Sequence, residues 1–144
     1  MFKKRFLLSG QYIRKVKWPV ADKSDNTIQK GKKGEKKAED YLKEHGYTVL
    51  YRNWRTRRGE IDIIAEKDGV LVFAEVKALS CSPIDTLERV LGSIKQKKII
   101  ETAKCFLLEN RQYNNSYIRF DVLIIDVPYY PPVYHIKNAF SECV

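Results

Sequence analysis

The sequence predicts an α/β protein: a mixed central sheet flanked by helices, with elements in the order α-β-β-β-α-β. Three observations carry this expectation. Asp68-Gly69 lies between two alternating apolar runs, the strongest short-range signal for a hairpin. Two segments with helical periodicity bracket the strands on either side of that dipeptide. The second of them is followed by the long apolar run YIRFDVLIIDV. A strand-helix-strand ending implies a right-handed crossover, and so a parallel pair in a sheet covered by helices.

Taken in order, residues 1–30 show no sustained period and contain Pro19 and the polar run DKSDNT, so they read as a basic arm ahead of a domain at 31–144. From Gly31 to His45, the residues Ala38, Tyr41 and Leu42 mark one helical face, and Gly46 stops the helix. YTVLYRNWR (47–55) alternates as a strand and RTRRG turns the chain; IDIIAE and VLVFAEVK then form the hairpin strands. LSCSP (79–83) is a loop, and Pro83 to Gly92 is helical or irregular. Residues 93–110 form a clearer helix, with Ser93 as N-cap and an apolar face of Ile99, Ala103, Phe106 and Leu107. NNS breaks it, residues 117–127 are a buried strand, VPYYPP stops that strand, and VYHIKNAF is a short final element. No internal repeat is visible.

Composition narrows the function classes. No apolar run approaches the ~18 residues of a membrane span. The basic start MFKKRFLLSG regains charge at Arg14, Lys15 and Lys17 before a signal-peptide core can form, which implies a cytoplasmic protein. Cys81, Cys105 and Cys143 are odd in number and lack metal-like spacing, as suits a reducing compartment. His45 and His135 lie far apart, which gives a zinc site or a Cys-His nucleophile little support.

The formal net charge is +9. Residues 1–37 hold 12 basic and 3 acidic side chains, and residues 38–144 hold 15 of each, so the excess lies at the N-terminal end. Such an arm suits contact with phosphates; a solvated extension explains it equally well. Within the neutral remainder, Arg52, Arg55, Arg57 and Arg58 precede the hairpin, while Lys95, Lys97 and Lys98 follow it. Both clusters flank the hairpin acids, an arrangement suited to a polyanionic substrate.

With Asp68-Gly69 as a two-residue turn, Lys67 faces Val70, Ile64 faces Phe73, Asp62 faces Glu75 and Glu60 faces Lys77. Opposed residues share a face with Cβ atoms about 4.5–5.5 Å apart, so three acids and a lysine should converge at the open end. Two close carboxylates repel unless one takes up a proton, a basic residue neutralises them or a cation binds between them. Surplus negative charge with oxygen ligands favours Mg²⁺ or Mn²⁺; a salt-bridge cluster is the simpler alternative. Glu35 shares the apolar side of the first helix, although an acid near a helix start is also favoured by the dipole. On the second helix Lys95, Gln96 or both should point at the sheet, where solvated side chains are the default.

A cation between two carboxylates, with a lysine two residues beyond one of them, suits phosphodiester hydrolysis. Asp62, then twelve residues, then Glu75-Val76-Lys77 resembles the PD-(D/E)xK nuclease signature without its first proline. GEKKAEDYLKEHGYTVLYRNWRTRRGEIDIIAEKDGVLVFAEVK, followed by KQKKI…A and RFDV, resembles the YraN-like family of small bacterial proteins from about residue 31 onward. That resemblance implies a restriction-endonuclease-like fold related to archaeal Holliday-junction resolvases. It also implies metal binding by Asp62 and Glu75, catalysis by Lys77, and a match of Glu35 and of Gln96 or Lys95 to polar residues of resolvase helices. The N-terminal arm is longer than the family pattern. Three functions follow as expectations: a Mg²⁺-dependent nuclease on DNA, including branched or damaged DNA; a nucleic-acid-binding module that does not cleave; or an interaction domain with a salt-bridge cluster. RNA stays open as a substrate, and a homodimer would be needed for a two-fold junction.

Overall fold

Asp68 and Gly69 both adopt positive φ, 52° and 75°, the left-handed pair of a type I′ turn whose twist matches its flanking strands. The computed structural model describes residues 27–78, 91–128 and 130–142. The turn joins β2 (Gly59–Lys67) to β3 (Val70–Ala78). Their register places Lys67 opposite Val70, Ile64 opposite Phe73 and Ile63 opposite Ala74, the alignment expected from the sequence. β1 (Thr48–Thr56) pairs antiparallel to β2 across a tight turn at Arg57-Arg58, with Arg55 opposite Glu60 and Trp54 opposite Ile61. Helix α2 (Ser93–Glu109) and a short 3-10 turn at Arg111–Tyr113 return the chain so that β4 (Tyr117–Ile125) lies parallel to β3. β5 (Val133–Phe140) closes the five-stranded sheet in the order β1-β2-β3-β4-β5. The expected final element is therefore a full strand.

Several boundaries differ from expectation. Helix α1 runs Thr27–Glu44, so it begins ahead of Gly31 and takes residues 27–30 from the arm. Residues 1–26 and 79–90, which hold the rest of the arm, the LSCSP loop and most of the Pro83–Gly92 segment, lie outside the described residues. Ser93 is the first helical residue and not the cap; Gly92 holds that position with no side-chain cap bond. β4 stops at Ile125 because Asp126 turns to φ 54° and its N–H donates to the Pro132 carbonyl.

The sheet alternation sorts side chains into two cores. Ile64, Phe73, Phe106, Phe120 and Val122 pack on the α2 side, and Ala38, Leu42, Ile63, Val72 and Leu123 on the α1 side. Full burial of each large apolar side chain contributes about 1.5–3 kcal/mol, which holds both helices to the sheet. One close approach sets where α1 sits: a Cβ on Gly34 would lie 3.3 Å from the Ala78 Cβ. Only glycine lets the helix backbone come so near the end of β3 without displacement. Among the described residues no helix is long and apolar enough to cross a membrane.

Candidate active site

The hairpin ladder ends at Ile63 and Ala74. Beyond that point β2 stays with β1 as far as Gly59, and β3 stays with β4 as far as Ala78. The two strands part, and Asp62 fills the gap: its Oδ2 accepts the Val76 N–H at 2.7 Å. A side-chain oxygen thus occupies the place of a ladder carbonyl. Glu75, 3% exposed, faces the α2 side. Its Oε1 lies 2.7 Å from Lys77 Nζ and 3.0 Å from Lys95 Nζ. Its Oε2 is buried with no hydrogen-bond partner among the described residues. Leaving such an oxygen unmatched costs about 1–3 kcal/mol or more, so it calls for an explanation.

Burial, and next the charge of Glu75, push the Asp62 carboxyl up to about 7; the Val76 N–H and Lys77 oppose this, and Glu35 adds a further upward push. Asp62, Glu75 and Lys77 thus lie near enough for their charges to act on one another, although the expected Asp62–Glu75 pairing across the ladder is not formed. Lys95 joins from α2, and Glu35 is close enough for its charge to be felt. Glu35 is held from β1: Asn53 Nδ2 donates to its Oε2 at 2.9 Å, and Arg52 lies 3.7 Å from it and 3.1 Å from Glu39.

Asn53 was not singled out from the sequence. It takes φ 51° inside a strand, which allows both Arg52 and Asn53 to reach α1. Asn is among the few residues that tolerate this conformation, and its place within YRNWR was the one available hint.

Other expected site residues go elsewhere. Glu60 does not meet Lys77; the strands have already separated, and its cross-strand neighbour Arg55 binds it at 3.0 Å on the surface. Gln96 turns back on its own helix start, donating to the Leu91 carbonyl at 2.6 Å, which ties the residue ahead of the helix to its first turn without capping its free N–H groups. Apart from Lys95, the six other flanking cations also divide. Arg52 and Arg55 are occupied by acids. Arg57, Arg58, Lys97 and Lys98 line one open groove of about 700 Å³ with Ile94 and Glu101. Arg58 reaches Glu101 at 2.7 Å, while Arg57, Lys97 and Lys98 form no ion pair among the described residues.

A hard cation fits the parted strands on chemical grounds. The donors are carboxylate oxygens, one is an orphan, and burial and the charge of Glu75 disfavour the ionised form of the neighbouring acid, which a cation would restore. Among the described residues no group of three or more His, Cys, Asp or Glu could hold a metal ion. Remaining positions would fall to backbone carbonyls, water or substrate phosphate, a sharing typical of Mg²⁺.

The opposite face holds another buried acid, Asp121. Arg119 donates to both its oxygens at 2.8 Å, His135 Nε2 lies 2.7 Å from Oδ2, and the Asn138 N–H reaches Oδ1 at 2.9 Å. Arg119 also donates to the Tyr47 hydroxyl at 2.9 Å.

The family model described as "Uncharacterised protein family UPF0102" matches residues 34–125, a span that includes Glu35, Asp62, Glu75, Lys77 and Lys95 at the parted strands. A UPF0102 protein of Treponema denticola is 43% identical over 124 residues, covering 78% of this chain and 95% of the relative. One from Treponema pallidum is 42% identical over 119 residues, covering 77% and 91%. One from Persephonella marina is 43% identical over 112 residues, covering 78% and 93%.

Proposed function

The chain belongs to the UPF0102 family, and from that premise we propose that it is a divalent-cation-dependent nuclease, acting in the cytoplasm on phosphodiester bonds of nucleic acid, with DNA as the expected substrate. The observation that supports this most is the orphaned Oε2 of Glu75 beside an Asp62 carboxyl driven up by burial and by its neighbour. Asp62 and that oxygen would hold Mg²⁺ or Mn²⁺. Such an ion, when bound, polarises a phosphodiester and lowers the pKa of bound water.

The remaining roles belong to the chain itself. Lys77 and Lys95 share Glu75 Oε1, which orients the carboxylate and leaves two ammonium groups at the mouth of the cleft. There they can hold a phosphate oxygen and stabilise charge developing on phosphorus. Glu35, fixed by Asn53, is placed to accept a hydrogen bond from water near Asp62. Arg57, Lys97 and Lys98 would hold neighbouring phosphates and so set the strand's register.

One observation favours a second reading. Two lysines on Glu75 already offset its charge, which suits a nucleic-acid-binding module that does not cleave. Incubating single-stranded, duplex, flap and four-way DNA, together with RNA, with Mg²⁺ or Mn²⁺ separates the two. Cleavage that disappears in Glu75→Gln supports the nuclease. Binding without cleavage on every substrate supports the module. Sedimentation of the four-way complex would show whether two copies assemble on it.

A further inference from the structure

The groove beside the cleft changes character along its length, and this bears on what the substrate presents there. Ile94, Lys97, Lys98 and Glu101 stand at i, i+3, i+4 and i+7 on α2 and share one face. Arg57 and Arg58 face them from the β1–β2 turn. The stripe has a direction. Lys95, the residue after Ile94, is the one that touches Glu75, so Ile94 marks the end nearest the carboxylates and Glu101 the far end.

Cations therefore line the groove until its last position before the cleft, where the side chain is apolar. Ile94 is 73% exposed. It does not belong to the helix's buried face, since it stands five residues before Ile99, about 140° round the helix. Leu108 on the same helix is as exposed, at 72%; what sets Ile94 apart is its place at the end of a cationic groove beside the carboxylates. The largest apolar surface a nucleic acid offers such a side chain is the face of a base, larger than a thymine methyl or a sugar edge, and that face is available only where stacking is lost. Inserted Ile, Leu or Phe side chains act in this way in proteins that unstack a base step.

Resting on the nuclease reading for the location of the cut, we infer that Ile94 packs against an unstacked base beside the scissile phosphate, and that the substrate class is nucleic acid with an unpaired nucleotide at that position. Lys97, Lys98 and Arg57 supply affinity indifferent to pairing; Ile94 supplies the preference.

The test measures binding by the full chain in EDTA, so that it does not depend on cleavage. Fluorescence anisotropy compares a matched duplex with the same duplex carrying one unpaired 2-aminopurine, whose own emission reports stacking. The wild type should hold the second roughly tenfold tighter, the effect of burying one aliphatic side chain. Ile94→Ser should bring the ratio near one and abolish the 2-aminopurine change, while Ile94→Leu keeps both. Lys97→Ala should weaken both duplexes by the same factor and reduce the salt slope by about 1. Equal affinities in the wild type, or an unchanged ratio in Ile94→Ser, would overturn the inference. A protein that keeps the preference but never cleaves with Mg²⁺ or Mn²⁺ refutes the nuclease reading alone.

Discussion

Glu75 and Asp121 are both buried carboxylates on adjacent parallel strands, yet their surroundings differ in kind. Asp121 has each oxygen matched twice, by Arg119, His135 and the Asn138 N–H. Burial alone would raise its pKa, but hydrogen bonds from His135 and Arg119 outweigh this and hold it below the usual carboxylate range. Among the described residues, Glu75 has one oxygen doubly paired and one unmatched, with a neighbouring acid pushed the other way. A saturated buried acid secures a fold. An unsaturated one beside a second acid has unused capacity, and that is what a ligand requires.

The comparison can be broken most directly at Asp121. Asp121→Asn should cost about 3–5 kcal/mol, because Arg119 is left without its carboxylate in a largely buried setting. Urea unfolding measures this, and a loss below 1 kcal/mol would place the two acids in one class. Glu75→Gln should do the reverse. Stability should move by less than about 1 kcal/mol, since Lys77 and Lys95 are each about one-third exposed and can turn to water. Cleavage should fall at least roughly a hundredfold, the upper range for losing even an outer-shell metal partner, and calorimetric heat with Mn²⁺ should vanish.

Acidity sharpens the same contrast. Asp62 has a raised pKa in the folded state, so its contribution is fully present below the unfolded value, about 3.9, and is lost as pH rises through about 7. Asp121 has a lowered one, so its contribution is present above the unfolded value and is lost as pH falls through the folded one. In metal-free protein, Asp62→Asn should therefore melt a few degrees above wild type at pH 8 and converge with it below pH 4. Mn²⁺ should remove the wild type's loss at pH 8. Parallel melting curves across that range would show that Asp62 carries no excess charge.

The smallest effect on the candidate site belongs to Asn53. Asn53→Gly relieves the positive φ and should leave stability within about 1 kcal/mol, while Asn53→Val should lose about 1–3 kcal/mol to strain. Both should weaken Mn²⁺ binding several-fold if Asn53 holds Glu35 in place. An unchanged affinity in both would make Asn53 purely architectural.

The hairpin was legible because two residues determine it: Asp68-Gly69 specified the turn, and the turn specified every partner down to Ile63 and Ala74. Beyond them neither expected pair, Asp62 with Glu75 nor Glu60 with Lys77, is formed, although Asp62 stays near Glu75 and Lys77, and the reason is physical. Pairing rules assume that the strands stay together, whereas here the Asp62 carboxylate takes the Val76 N–H and the strands separate. Glu60 then follows its other neighbour, Arg55, a pairing that required treating Arg57-Arg58 as a two-residue turn. Helical spacing brought Lys95 to the sheet but could not show that Gln96 would fold back on the Leu91 carbonyl. The Asn53 conformation and the Asp121 network depend on contacts distant in sequence, which periodicity does not report.

Gly34 has a consequence for how sharply the cleft is tuned. Its missing side chain lets α1 lie against Ala78, and the very next residue is Glu35. Adding one methyl group there would force the helix or strand to yield by a few tenths of an ångström at a 3.3 Å contact. The displacement would pass straight into the acid that Asn53 steadies. The distance between helix and cleft is thus gauged by a hydrogen atom, and a change in the floor of the molecule would be felt first as a change in its chemistry.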